Sequence, residues 1–123
     1  MKRIGIRLVT AAVLVSSFVA LGASLPALAA CGSGSGHFCA YKHANYGTKI
    51  LDSGAGAGNE VDVADDQVSS GKNWTGNHWC GMTNVILLPP ALVFDFNPST
   101  NVSYVGDGDN DRIDFFDVKS SNC

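Results

Sequence analysis

The chain is short of almost everything an enzyme or a nucleic-acid reader needs. It has eight Lys and Arg and three His in 123 residues. Three of those basic residues (Lys2, Arg3 and Arg7) stand at the very start. Residues 31–123 therefore carry five basic against eleven acidic side chains, a net charge of −6. Such an acidic chain has little to offer a phosphate backbone or an anionic membrane, both of which attract positive charge. His37, His43 and His78 are scattered, and no Cys-x-x-Cys or His-Glu-x-x-His spacing brings metal ligands together. No nucleophile-elbow motif is present, and nothing else points to an enzyme. No segment keeps a sustained helical period of apolar residues, which excludes a helical bundle.

Long apolar runs are also missing. Leu8–Leu21 is uncharged and apolar but spans only 14 residues, short of the ~20 needed to cross a bilayer. It follows a basic start and precedes Pro26 and the small residues Ala27–Ala30. That order is a secretory signal peptide over residues 1–30, leaving a single domain over 31–123. "LAAC" (Leu28 to Cys31) offers a rival processing route, in which Cys31 is lipidated and anchors the protein to a membrane. Cysteine arithmetic favours free secretion: Cys31, Cys39, Cys80 and Cys123 all lie outside the signal and allow two disulfides, whereas lipidation would strand one thiol. The expected location is therefore extracellular, and the expected state a monomer.

What the chain does have is glycine and short β-forming runs. Fourteen glycines and clusters of Ser, Asn and Asp interrupt it at short intervals. "HFCAY" (His37 to Tyr41), "TKIL" (Thr48 to Leu51), "EVDVAD" (Glu60 to Asp65), "NVSYVG" (Asn101 to Gly106) and "RIDFFDV" (Arg112 to Val118) read as strands. "NVILLPPALVFDF" (Asn84 to Phe96) reads as two strands around a Pro-Pro turn. The fold class is all-β, a sandwich or barrel. Trp74, Trp79, Phe94, Phe96 and Tyr104 are expected in the core. A weak internal repeat is visible: Phe38 and Trp79 each precede a cysteine, 41 positions apart, and Asp65 and Asn110 open two oxygen-rich hexapeptides 45 apart. Two β units of about forty residues follow, motif one near 37–75 and motif two near 77–119.

The hexapeptides are "DDQVSS" (Asp65 to Ser70) and "NDRIDF" (Asn110 to Phe115). Asp65, Asp66, Gln67 and Ser69 could offer carboxylate, carbonyl and hydroxyl oxygens to a hard cation such as Ca²⁺, which takes six to eight oxygens. Taken alone, the same residues are better read as a turn that bonds its own backbone. An EF-hand is excluded, since Arg112 and Val118 stand where a loop starting at Asp107 needs Gly and Glu.

The spacing "C-x7-C-A-Y-x4-Y-G" (Cys31 to Gly47), followed by "DDQVSS" and Asn73, resembles the first Greek-key motif of βγ-crystallin-like proteins. In particular it resembles the secreted bacterial members grouped as peptidase inhibitor family thirty-six, whose type member inhibits metalloproteinases. Trp79-Cys80, "LLPP" (Leu87 to Pro90), "NDRIDF" and Cys123 resemble the second motif. The resemblance implies a sandwich of two Greek keys, Ca²⁺ as a candidate ligand and an extracellular protease as a candidate partner. The cation candidates are Asp65, Asp66, Gln67 and Ser69 in the first loop and Asn110, Asp111 and Asp114 in the second. Asp114 and Phe115 stand where the pattern has Ser-Ser, so the first loop is the stronger candidate. A disulfide-closed inhibitory loop has no counterpart here, and the inhibitory segment stays unassigned. Of the three possible pairings, Cys31–Cys39 and Cys80–Cys123 are expected.

Overall fold

The computed structural model describes residues 31–32 and 36–123; the expected signal segment lies outside them. Eight strands account for the architecture: β1 (Phe38–His43), β2 (Gly47–Ser53), β3 (Glu60–Asp62), β4 (Ser70–Asn73), β5 (His78–Val85), β6 (Leu88–Phe96), β7 (Thr100–Val102) and β8 (Phe115–Lys119). They form two four-stranded antiparallel sheets, ordered β2-β1-β4-β7 and β3-β8-β5-β6. Numbering β5–β8 as a second copy of β1–β4 makes the two orders identical. In each copy the third strand leaves its own sheet and pairs at the edge of the other. β3 joins β8 through Val61↔Phe116, and β7 joins β4 through Gly71↔Val102. This is the interlocked Greek-key pair of a β-sandwich.

The core follows from alternation on the strands. Phe38 and Ala40 from β1, Trp79 from β5, Phe96 from β6 and Phe116 and Val118 from β8 are fully buried, with Val68 and Ile113 entering from the two hexapeptides. The repeat positions Phe38 and Trp79 stack face to face, with centroids 4.4 Å apart and planes 12° apart. Phe96 and Phe116 meet Phe38 edge-on at 5.2 and 4.8 Å, the favoured aromatic geometry. Two glycines make this closeness possible. A Cβ on Gly71 would lie 2.6 Å from the Phe96 ring, and one on Gly81 would lie 2.5 Å from Ile113 Cδ1.

Both expected disulfides are formed, Cys31–Cys39 and Cys80–Cys123. The first ties Cys31 to β1, and the second ties the C-terminal Cys123 to β5. Other expectations need correction. Trp74 and Tyr104 are exposed rather than buried. The Pro-Pro pair does not make the turn in Asn84–Phe96: the chain reverses at Ile86-Leu87, between the paired Val85 and Leu88. Pro89 and Pro90 lie inside β6, which is an edge strand. An edge is where proline is tolerated, and the β5–β6 register is irregular opposite the pair, between Thr83 and Val85. Ser70–Asn73, which the sequence reading did not assign to a strand, form β4, an inner strand of the first sheet.

Candidate functional site

The two hexapeptides occupy equivalent places and share one backbone shape. Asp66 and Asp111 both adopt left-handed φ, 55° and 56°, which Asp tolerates better than most residues. Ser69 N–H donates to Tyr41 O at 2.9 Å, and at the matching position Asp114 N–H donates to Met82 O at 2.8 Å. Each loop therefore docks on the first strand of its own copy. The loops also touch each other: Asp111 N–H donates to Val68 O at 3.2 Å.

The paired serines first serve the turn between β1 and β2. Ser69 Oγ donates to Lys42 O at 2.7 Å and Ser70 Oγ to His43 O at 2.6 Å, while Ser70 Oγ accepts from Tyr46 N–H at 3.1 Å. The turn needs this support, because Asn45, Tyr46 and Thr48 all hold positive φ. A hydroxyl has a single hydrogen, and the short bond to Lys42 O engages that of Ser69. Asp111 Oδ1 on the other loop is a second, more distant acceptor for the same hydroxyl, 3.4 Å away. The neighbouring Asn110 turns its amide nitrogen to Asp111 Oδ2 at 3.1 Å. Asn110 Oδ1 is left buried with no hydrogen-bond partner. Orphaned buried acceptors are rare in folded proteins and call for an explanation. Ser69 Oγ and Asp111 Oδ1 meet where the two loops touch, and Asn110 is the next residue along from Asp111. That donor set suits a hard cation such as Ca²⁺.

The sequence reading placed the oxygens of Asp65, Asp66, Gln67 and Ser69 in one arc. The structure instead brings Ser69 to Asp111 of the other loop. Asp65 and Asp66 are exposed and Gln67 is half-buried; by the repeat, Asp66 holds for the second copy the place Asp111 holds here. There Asp114 replaces Ser69, but its carboxylate is already engaged. Asp114 Oδ2 accepts from Asn84 N–H at 2.6 Å and from Thr83 Oγ1 at 3.1 Å. It pins the base of the β5–β6 hairpin.

Two other groupings look like metal sites and are not. Cys31, Cys39 and Asp52 cluster, as do His78, Asp95 and Cys123. Every cysteine in them is in a disulfide, and a metal ligand must be a thiolate. Asp52 is instead a structural anchor. Burial pushes its carboxyl up, but hydrogen bonds from Lys49, His37 and the Gly32 N–H outweigh this and bring it down to about 2. Tyr104 donates to Asp107 Oδ1 at 2.6 Å, and this bond above all raises its phenol above the ordinary value.

Sequence reading missed the role of Asn73. Its side chain is fully buried. Nδ2 donates to the carbonyls of Asn77, Phe96 and Asn97 at 2.8, 2.8 and 3.0 Å. Oδ1 accepts from Thr75 N–H and Thr75 Oγ1 at 3.0 and 2.7 Å. A signal was present, since Asn73 follows the hexapeptide in the resemblance.

Solved structures share this interlocked arrangement. A βγ-crystallin domain from Clostridium beijerinckii superposes with a TM-score of 0.53 at 16% identity, covering 69% of this chain and 99% of that one. The fold is that of a βγ-crystallin domain. Two mutant forms of the same domain, one singly and one doubly substituted, superpose with TM-scores of 0.52 at 15% and 16% identity, each covering 69% of this chain and 99% and 98% of theirs. No model of a protein family matches the chain, and no curated protein matches it. At such identity the likeness speaks for the βγ-crystallin fold alone.

Proposed function

We propose that this βγ-crystallin-type domain binds Ca²⁺ where its two loops meet, and works outside the cell as a calcium-stabilised binding protein. The observations that carry the reading are the buried, unpartnered Asn110 Oδ1 and the meeting of Ser69 Oγ with Asp111 Oδ1 across the two loops. Asn110, Asp111 and Ser69 would hold the ion. A bound cation would supply positive charge that links the loops of the two copies. Asp111 brings the formal negative charge, and Ser69 keeps its lone pairs available by donating its hydrogen to Lys42 O. A ligand that binds only the folded state stabilises it by ~2.7 kcal/mol at a hundred times its Kd. Two disulfides accord with an oxidising compartment. The test is thermal melting with and without millimolar Ca²⁺. The melting temperature is expected to rise with Ca²⁺, and the rise to vanish in Asp111→Ala and shrink in Ser69→Ala. An unchanged melt in wild type refutes the reading.

A second reading is inhibition of an extracellular peptidase, as the peptidase inhibitor resemblance implies. One observation favours it: the β5–β6 hairpin carries an apolar tip that no part of the described fold covers. Ile86 and Leu87 are 90% and 98% exposed. Assaying a panel of metallo- and serine peptidases with micromolar protein tests this; full activity throughout removes it.

A further inference from the structure

Charge is unevenly shared between the two sheets. β1, β2, β4 and β7 carry Lys42, Lys49 and Lys72 against Asp52 alone, a net charge of +2. The remainder of residues 31–123 carries Arg112 and Lys119 against ten acids, a net charge of −8. The first sheet is therefore basic within an acidic protein. Strand alternation sends Phe38 and Ala40 into the main core and leaves Cys39 and Tyr41 on the outer face of β1. Asp52, Cys39, Lys72 and Asn101 form one cross-strand row on that face.

Aromatic rings surround the lysine of this row. Lys72 Nζ lies 4.5 Å from the centre of the Tyr46 ring, and 5.8 and 5.9 Å from those of Trp74 and Tyr41, all within cation–π range. The rings are fixed in place. Tyr41 is buried in a small cluster with the linked Cys31 and Cys39, and Tyr46 meets it edge-on at 5.6 Å. Trp74 Nε1 donates to Asn101 Oδ1 at 3.0 Å. Lys49 and Lys119 each meet a carboxylate, of Asp52 and Asp117. Among the described residues Lys72 meets none. The acid in its row, Asp52, is already engaged by Lys49, His37 and the Gly32 N–H. In a chain with eleven acids, an ammonium held among rings without a counter-charge suits an anion that also has an apolar face.

Three anions have such a character. An anionic bilayer needs side chains that project into it. Trp74 is only 36% exposed and its ring is tied to β7, while Tyr46 is half-buried and Tyr41 buried. A nucleic acid brings a phosphate with every nucleotide and needs a track of cations; a face of +2 backed by −8 repels such a polyanion. An acidic sugar chain is sparser in charge, with one carboxylate for each ring or two. It adds C–H faces that lie on the electron-rich face of an aromatic ring, and hydroxyls for the exposed Asn101 amide. We infer that this face binds an acidic oligosaccharide. Lys72 pairs with a uronic carboxylate, Trp74 and Tyr46 carry the adjoining sugar ring, and Asn101 takes its hydroxyls. The site shares no residue with the cation loops or the hairpin tip, so it stands or falls apart from both readings above.

The test titrates tetrasaccharides of polygalacturonate and of hyaluronan into the disulfide-bonded protein by calorimetry, in EDTA so that no Ca²⁺ bridges them. Cellotetraose, oligothymidylate and phosphatidylglycerol vesicles run in parallel. At least one acidic tetrasaccharide is expected to bind, cellotetraose about tenfold or more weakly by comparison, and added salt to weaken binding. Lys72→Gln and Trp74→Ala are each expected to weaken it about tenfold or more, and Lys72→Arg to keep most of it. Melting temperatures should stay close to wild type, because both side chains lie outside the main core. Where Trp74→Ala melts well below wild type, Trp74→Phe and Lys72→Gln decide in its place. Failure of both acidic tetrasaccharides to bind, equal binding of cellotetraose, or affinity untouched by these substitutions each overturns the inference. Tighter, Lys72-dependent binding of oligothymidylate or of the vesicles overturns it in favour of nucleic acid or lipid.

Discussion

Replacing Asn73 by alanine should be the most damaging single change to a polar side chain in this domain. The amide joins the end of β4 to the carbonyls of Asn77, Phe96 and Asn97, and through Thr75 it shapes the passage from the first copy to the second. Five contacts are made, but Nδ2 has two hydrogens for three acceptors, so four bonds' worth is a fair count. At about 1 kcal/mol net for each bond the loss approaches 4 kcal/mol. Asn77 and Asn97 lie near solvent, and water can replace part of their share. Phe96 O is enclosed and cannot be rehydrated so easily. About 2–4 kcal/mol is the resulting expectation, an effect large enough to belong with broken buried networks. For a domain of this size that lowers the melting temperature by ~10–25 °C. The assay is equilibrium unfolding in urea with both disulfides intact, comparing midpoints at constant slope. Asn73→Asp should lose as much or more, since it can still accept from Thr75 but donates to none of the three carbonyls. A loss below about 1 kcal/mol for Asn73→Ala would refute the bookkeeping, because ordinary surface changes reach nearly that far.

Asp52 links stability to pH. Its carboxyl is held at about 2 in the fold, below its unfolded value, so its contribution is present above that unfolded value and is lost as pH falls through the folded one. The stability gap between wild type and Asp52→Asn should be constant near neutrality and close between about pH 4 and pH 2, as read from urea midpoints across pH; a gap that widens on acidification would contradict the sign. Gly81→Ala should cost about 1–3 kcal/mol by overpacking, since its Cβ would press on Ile113 Cδ1. Trimming the neighbour in Gly81→Ala/Ile113→Val should restore part of that loss in a thermal melt, and an additive result would show that the clash is not the cause.

Much of this fold is legible from strand alternation and from the repeat. β1, β2, β3 and β8 overlap runs whose apolar positions alternate or whose residues favour strands. β4 escapes such reading because Ser, Gly, Lys and Asn have no β preference. Tertiary fit decides there: Gly71 leaves room for the Phe96 ring, and Ser70 is used to brace a turn. The Pro-Pro pair misleads for a related reason. Proline marks a turn or an edge equally well, and only the pairing partner β5 shows which. The oxygen-rich loops are visible as motifs, but their division of labour is not. That Ser69 answers to Asp111, while Asp114 answers to Asn84, depends on contacts 42 and 30 positions apart.

The exchange of third strands between the sheets makes the domain indivisible. Neither half can complete a four-stranded sheet from its own residues, so a break between β4 and β5 should give two pieces that become ordered only on meeting. Because β3 must wait for β8, some fifty residues later in the chain, assembly is bound to distant pairings, the circumstance that makes β-rich domains slow to fold. In a newly made chain, that interval of unpaired strand edges is when mispaired cysteines and aggregation would compete with the native route.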